Sequence, residues 1–357
     1  GRSAGKLKHR FLAIVLLSSL PFLAAVSITA YNFMAASRSQ LQQQIEFTTL
    51  TLHDTLESLL RTNVGAYLGS KIETGRNLID LYLHNPEFTE NTSDETIESI
   101  TGALLSLKVG KTGYYYAIDS SGTVVFHPDS NIVGTDQSTK CPVDAQMLMR
   151  EGYLEYEWQN TFEDSPRKKA LYMTYIPELD WILTATSYRS EFIDIIDRQI
   201  LEDTISTIRL GKSGYSYIVD RSYNIIAHPY LEGSDAGGLV TDEEYKNIIE
   251  KLFSVGDGLI SYDWRDSEAG SYSEKIVYAK YIEDFDWVVA TSMYLDEINR
   301  PVTMMFLLII AAALIAAGVI FFTVRHIVRT IEIPVSNIID TLKAAADGDL
   351  SVRTLPW

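Results

Sequence analysis

Cysteine is almost absent: Cys141 stands alone among 357 residues. No disulfide can form within one chain, and no Cys/His set has the spacing of a structural metal site. Cys141 therefore reads as a passive small residue. The chain also lacks a Gly-x-Ser-x-Gly elbow and a His-Glu-x-x-His helix. The expectation is a protein that is not an enzyme, takes no cofactor and holds no metal. Basic residues are the minority, with 30 Lys+Arg against 47 Asp+Glu and a formal net charge of −17. A surface this acidic argues against a nucleic-acid partner.

Two stretches almost lack charge. Phe11 to Tyr31 is apolar behind a basic start (Arg2, Lys6, Lys8, Arg10), and Pro301 to Val324 is apolar and longer. Each is long enough to cross a bilayer as a helix. The first run is too long for a signal-peptide core and has no clear cleavage site, so it reads as an anchor. Basic residues cluster before the first run and follow the second at Arg325 and Arg329. Both termini are thus expected in the cytoplasm of a two-pass plasma-membrane protein, with residues 35–300 outside. Four of the 47 acidic residues follow the second span and none precedes residue 35. The outer segment is accordingly more negative than the chain as a whole.

Within it, Val109 to Asp119 reads VGKTGYYYAID and Leu210 to Asp220 reads LGKSGYSYIVD. Gly-Lys-Thr and Gly-Lys-Ser end a phosphate-binding loop, but such a loop needs a glycine five residues before its second glycine. Leu105 and Ser206 occupy those places. The order is also reversed, helix before strand, so a nucleotide site is excluded. The glycines are expected to cap the preceding helices and release the chain into strands.

The two stretches open a long internal repeat. Tyr114, Tyr116 and His127 match Tyr215, Tyr217 and His228. Tyr156, Trp158, Lys169 and Tyr172 match Tyr262, Trp264, Lys275 and Tyr278. The length differs only between the His-Pro and the later glycine, Gly152 or Gly258. Aromatic and β-branched runs at 114–118, 123–127, 152–158, 168–176 and 181–187 predict five antiparallel strands, with a helix over 142–150. Copy two repeats them, its helix over 242–254. The fold class is α+β.

Ahead of the first copy, Ile45, Leu52, Leu56 and Leu59 share a seam with sevenfold and 4/3 spacing. This predicts a stalk helix whose seam serves a homodimer, packs on its own module, or does both at different heights. Residues 190–209 predict a linking helix with Ser190 as its N-cap.

Alternation puts Tyr114 with Tyr116, and Tyr156 with Trp158, on shared strand faces. Either these aromatics are core, or they enclose a pocket in which lysine, imidazole and phenols hold a small anion. Repeated polar residues amid apolar strands favour the pocket for His127 and Lys169.

On these motifs each copy resembles a Cache sensor module, the extracytoplasmic PAS-like domain of prokaryotic receptors. GYYYAIDSSGTVVFHPDSNIVG, GYLEYEW and KKALYMTYIPELDW are similar to the type that senses acetate, propionate, lactate or pyruvate. GYSYIVDRSYNIIAHP and KIVYAKYIEDFDW carry the likeness in copy two. The resemblance covers residues 38–298. It implies a tandem sensor whose ligand residues are Tyr114, Tyr116, His127, Tyr156, Trp158, Lys169 and Tyr172. Tyr215, Tyr217, His228, Tyr262, Trp264, Lys275 and Tyr278 are the second-module candidates. The signature of amino-acid-binding tandem Cache domains is not evident. Residues 325–353 resemble the opening half of a HAMP linker, with Pro334, Gly348-Asp349-Leu350 and a 4/3 row at Ile331, Val335, Ile338, Leu342 and Ala345.

The implied organisation runs from a cytoplasmic N-terminus (1–10) through transmembrane helix 1 (11–34) to stalk and lead-in helices (35–95). A membrane-distal module (96–189), a membrane-proximal module (190–298), transmembrane helix 2 (301–324) and the partial HAMP (325–357) follow. The function implied is carboxylate sensing by a homodimeric methyl-accepting chemotaxis receptor, the alternatives being a sensor histidine kinase or a cyclase. Its output module or kinase complex is expected outside this chain. Two other classes stay open: an ectodomain that turns its ligand over, and a ligand-free dimeriser whose pocket is filled by side chains.

Overall fold

The computed structural model describes residues 2–84, 93–159, 165–231, 243–265, 272–327, 329–330 and 333–347. Side chains are described from residue 21 onward, except at 22, 23, 194, 298, 333, 336 and 337. The chain divides into two units, residues 44–293 and the combined segments 1–43 and 294–357.

Residues 44–293 hold two antiparallel sheets and the upper part of helix α1 (Arg2–His84), followed by α2 (Ser93–Ser106). The first sheet has the order β2-β1-β5-β4-β3. Its strands are β1 (Tyr114–Asp119), β2 (Val124–Phe126), β3 (Gly152–Trp158), β4 (Arg167–Ile176) and β5 (Trp181–Tyr188). Helix α3 (Val143–Met149) crosses between β2 and β3 in sequence. Helix α4 (Arg198–Ser206) leads to the second sheet, which comprises β6 (Arg209–Leu210), β7 (Gly214–Asp220), β8 (Ile225–Ala227), β9 (Asp257–Arg265), β10 (Tyr272–Ile282) and β11 (Trp287–Tyr294). Helix α5 (Glu243–Val255) takes the place of α3. The second sheet thus has six strands where five were expected. Its extra strand β6 pairs Leu210 with Gly214, where module one has only the isolated bridge Val109–Gly113.

All eight residues of the central strand β5 are buried, as are seven of eight in β11. Their buried hydroxyls are hydrogen-bonded, as Thr186 Oγ1 is to Ala170 O at 2.9 Å. One face of each sheet packs on α1. Val64, Leu68, Ile72 and Ile79 meet Tyr115, Phe126 and Leu183 in module one. Leu52, Leu56 and Leu60 meet Ile218, Trp287 and Val289 in module two. The buried row on α1 advances mostly by four residues, not in heptads. A row with that advance drifts around the helix, as it must when one helix lies across two successive sheets. The expected seam is corrected accordingly. Ile45, Leu52 and Leu56 are covered by the chain itself, and Leu60 is buried in place of the half-exposed Leu59.

The glycines of the repeated motif do not cap helices, because α2 ends at Ser106, four residues before Gly110. Gly110 and Gly211 sit at φ 63° and 60° inside tight turns, the left-handed region glycine enters freely. The turn is a small anion nest, but its anion is internal. The Lys111 and Thr112 amides donate to Glu191 Oε2 at 2.9 and 3.0 Å. Ser187 Oγ donates to the same oxygen at 2.6 Å. Burial alone would raise the Glu191 carboxyl, but these bonds outweigh it and hold it below the usual range.

The link between modules also departs from expectation. Residues Arg189–Ile195 form a 3-10 turn, and α4 begins only after Asp197. Asp197, not Ser190, is the N-cap: its carboxylate accepts from Gln199 N at 2.9 Å.

In the other unit, residues 2–43 continue α1, so the expected first span at 11–34 is helical. Helix α6 (Asp296–Ile327) contains Asn299–Ile327, a 29-residue stretch whose most apolar 18-residue window has mean hydropathy 2.9, long and apolar enough to cross a membrane. Helix α7 (Ile333–Ala346) carries Val335, Ile338, Leu342 and Ala345. Ile331 and the Gly348-Asp349-Leu350 corner lie outside the described residues.

Candidate ligand site

The face of each sheet away from α1 carries the repeated polar residues. In module one Tyr114, Tyr116 and Ile118 alternate along β1. Across β3, β4 and β5 the register sets Tyr156 opposite Lys169 and Lys169 opposite Tyr188. His127 follows β2 and closes on the same aromatics. Its ring lies 4.9 Å from that of Tyr114 and 5.7 Å from that of Tyr116.

Six of the seven expected residues come together here. Lys169 Nζ donates to Tyr114 Oη at 3.3 Å and lies 4.7 Å from the centroid of the Tyr114 ring, 4.9 Å from Tyr188 and 6.0 Å from Trp158. Lys169 is 2% exposed, and its ammonium lies against these ring faces. His127 Nδ1 accepts from Asp129 N at 2.9 Å. That bond assigns the proton of the neutral ring to Nε2, which faces Tyr114 Oη at 3.3 Å. Burial, with Lys169 adding to it, lowers the His127 pKa despite the opposing Asp129 carboxylate, so the ring is neutral at pH 7. Burial and Asp129 push the Tyr114 phenol up to about 12. Tyr114 Oη thus accepts from Lys169 and His127 and keeps its own proton to donate.

Tyr172 does not join them. Three residues from Lys169, it emerges on the opposite face, where its ring meets Gly69 of α1, 3.5 Å from the place a Cβ would take. Lys169 is also corrected in role: it backs Tyr114 and Trp158 and does not line the cavity itself.

The cavity measures about 70 Å³, where one water needs roughly 10–15 Å³ by the same measure. Tyr114, Tyr116, His127, Gln137, Lys140, Tyr156 and Trp158 supply its polar lining, and Ile118, Val124, Ile132, Pro142 and Val143 its apolar lining. Cys141 lies on the lining as well.

Behind the wall sits a residue that reading the repeat passed over. Buried Gln146 of α3 accepts from Tyr116 Oη at 2.9 Å and donates to Thr184 Oγ1 at 2.6 Å. Tyr156 Oη shares a bond of 3.0 Å with Thr186. Gln146, Gln137, Lys140 and Cys141 belong to the stretch in which the copies diverge, so a comparison of copies could not flag them.

Module two repeats the arrangement with different consequences. Lys275 Nζ donates to Tyr215 Oη at 2.7 Å and lies 5.4 Å from the Trp264 ring. His228 lies 4.9 Å from Tyr215, and Tyr217 Oη meets Tyr262 Oη at 3.4 Å. Tyr278, like Tyr172, is on the other face, where it donates to Asp257 at 2.9 Å. Leu252 and Ala290 occupy the places of Gln146 and Thr184 and join an apolar cluster. Tyr230 stacks edge-on at 5.3 Å from Tyr215.

Burial, helped by Lys275, lowers His228 to about 4. A ring held neutral below its ordinary 6.5 contributes stability that is complete above pH 6.5 and lost as pH falls towards 4. The expected result is a melting temperature that declines across that window. His228→Asn, which keeps an acceptor for the Tyr230 and Leu231 amides, declines less over the same pH range. Equal declines in a pH series of thermal melts would contradict the assignment.

Comparison with known proteins adds three findings. A family model described as a Cache domain matches residues 22–299. The sensor histidine kinase MctS of Rhizobium johnstonii is 28% identical over 107 residues, covering 28% of this chain and 23% of its own. The methyl-accepting chemotaxis protein McpA of Bacillus subtilis is 27% identical over 154 residues, covering 42% of this chain and 20% of its own. The chain therefore spans about a fifth of the curated relatives it matches. Among solved structures, a Cache chemosensory domain described for carboxylic acid recognition has 20% identity and a TM-score of 0.33. It covers 37% of this chain and 97% of its own. The sensory domain of the Campylobacter jejuni chemoreceptor Tlp3 has 13% identity and a TM-score of 0.32, covering 74% and 98%.

Proposed function

The chain belongs to the Cache domain family, and on that footing we propose that it is the sensing part of a transmembrane receptor whose first module binds a short carboxylate. The observation that carries this reading is the Tyr114 hydroxyl. It accepts from Lys169 and His127 and has its own proton left for the cavity. A phenol polarised by an ammonium is a strong donor to a carboxylate oxygen. Ile118, Val124, Ile132, Pro142 and Val143 offer the carbon chain an apolar wall. Space for roughly five water-sized groups suits acids of two to four carbons.

The receptor would act as a homodimer in the plasma membrane, with residues 35–300 outside and α6 as the span that leads to a HAMP-like α7. Ligand energy shifts such a receptor only by its differential affinity for the two signalling states. A chemoreceptor output is the first reading. A kinase output is the second, since the matched relatives include a protein of each kind.

The test is thermal unfolding of the detergent-solubilised chain with acetate, propionate, butyrate, lactate and pyruvate, and with isoleucine and succinate as contrasts. A monocarboxylate that binds stabilises the fold by about 2.7 kcal/mol at a hundredfold excess over its Kd. Silence across all five acids sinks the carboxylate reading. A response to isoleucine alone transfers it to amino acids.

A further inference from the structure

We infer that Arg189 is a positioning residue that couples the ligand row of module one to module two. The coupling rests on module one being the ligand-responsive module, but its geometry stands independently of which ligand that is.

Tyr156, Lys169 and Tyr188 form one row across β3, β4 and β5 on the cavity side. Their immediate neighbours Glu155, Lys168 and Arg189 face the other way. There they enter a single charged cluster. Arg189 reaches Glu57 of α1 at 2.8 Å, Glu155 of β3 at 3.3 Å and Asp284 at 3.1 Å. Lys168 approaches the same Asp284 oxygen at 3.8 Å. Asp284 belongs to module two, in the 3-10 turn Glu283–Phe285 just before β11. One guanidinium therefore joins the stalk, module one and module two.

The centre of the cluster is buried where an apolar joint would serve stability equally well. The Arg189 side chain is 2% exposed and that of Asp284 7%. Replacing a buried ion cluster by packed apolar residues is often neutral or stabilising, so such clusters add little to net stability. What the guanidinium supplies is direction: it hydrogen-bonds Glu57 and Glu155 and draws Asp284 to the same place by charge alone, whereas an apolar contact can slide. Two cations also face three carboxylates, so moving any one of them alters the balance at the others.

The mechanical consequence follows from pleating. When a ligand shifts Tyr156, Lys169 or Tyr188, the same backbone carries Glu155, Lys168 and Arg189 with them. Asp284 must follow or lose its partners. Beside Asp284, Phe285 packs 5.1 Å from Trp287 at the head of β11 and joins the apolar cluster of Leu52, Leu56 and Leu60. Glu191, two residues after Arg189, ties the same segment to the Lys111–Thr112 turn at the entry to β1. The segment Ser187–Glu191 is thus held from both sides of β5, by the turn before β1 and by Glu155 of β3.

The experiment is amide hydrogen exchange on the solubilised full chain, comparing the native protein with Arg189→Met/Asp284→Asn. The probe is propionate. In the native chain, propionate raises protection in β3–β5 and alters exchange over residues 283–290. In the double variant the β3–β5 response persists with affinity within about threefold, while the 283–290 response disappears. Persistence of that second response overturns the proposal, as does loss of both responses together, which would make Arg189 a pocket residue only.

A ligand-free arm keeps the outcome separate from the identity of the ligand. Tyr156→Phe removes the bond to Thr186 and disturbs the row directly. Its effect on exchange at 283–290 is expected in the native background and absent with Arg189→Met/Asp284→Asn. If propionate evokes nothing in β3–β5, propionate is not the ligand and this arm alone decides the coupling. Should the double variant not fold, Arg189→Lys, which keeps one charge and loses the fork, is expected to weaken the 283–290 response in both arms. An undiminished response there overturns the proposal.

Discussion

Gly113→Ala is expected to unfold module one. A Cβ at this position would lie 2.3 Å from Thr186 O, 2.4 Å from Val109 O and 2.5 Å from Ser187 Cβ. Two of the three are backbone atoms held in the sheet and the Glu191-bound turn, so no side chain can swing aside. Clashes of this kind fall among the rare substitutions that cost more than about 4 kcal/mol. Gly214→Ala has the same expected effect on module two, with Leu210 O at 2.3 Å. Gly102→Ala is the control. Nothing lies within 4 Å of its Cβ, and it is a helical position of α2 where alanine is favoured by roughly 0.5–1 kcal/mol. Urea unfolding of the three variants measures the contrast. A Gly113→Ala protein with native stability would show that the Val109–Gly113 turn is not as close as described.

Lys169→Met is expected to remove ligand binding while leaving the fold intact. Methionine keeps most of the stem volume among the Tyr114, Tyr188 and Trp158 rings. Removing a buried ammonium also removes its desolvation cost. What is lost is the cation behind Tyr114. Hydrogen bonds to charged groups contribute about 1.5–3 kcal/mol, so affinity falls by roughly 10- to 150-fold. Calorimetric titration with an acid that stabilises the native chain reads the loss. Lys275→Met, the same change in module two, is expected to bind that acid normally, because Leu252, Ala290 and Tyr230 make its surroundings apolar and aromatic. The reverse result would move the ligand to module two.

Much of this site could be read from the sequence because the module occurs twice. Residues retained at the same spacing in both copies, from Tyr114 and His127 to Lys169, are those the sheet brings to one face. Parity alone also places Tyr172 opposite Lys169, since three residues along a strand reverse the face. The resemblance to the family kept Tyr172 in the ligand set, and its seat on Gly69 removes it.

Where the copies differ, comparison is blind. Gln146, which anchors Tyr116 and Thr184, has Leu252 as its counterpart. The stalk misled for another reason. A heptad was expected, but the buried row advances by four because α1 crosses two sheets in succession. The Gly-Lys-Thr turn shows the same limit. The missing glycine at position 105 is enough to exclude a phosphate loop, but nothing local indicates that its amides hold Glu191, 80 residues on.

The sequence by itself determined the repeated module, its strands and the aromatic, basic face they present, because alternation and repetition are local properties of the chain. The tertiary structure alone decided that Glu191 fills the turn, that Gln146 supports the cavity and that Arg189 gathers Glu57, Glu155 and Asp284. Those partners lie far apart along the chain. They meet only when the sheets close on α1, and burial then makes each charge depend on the others.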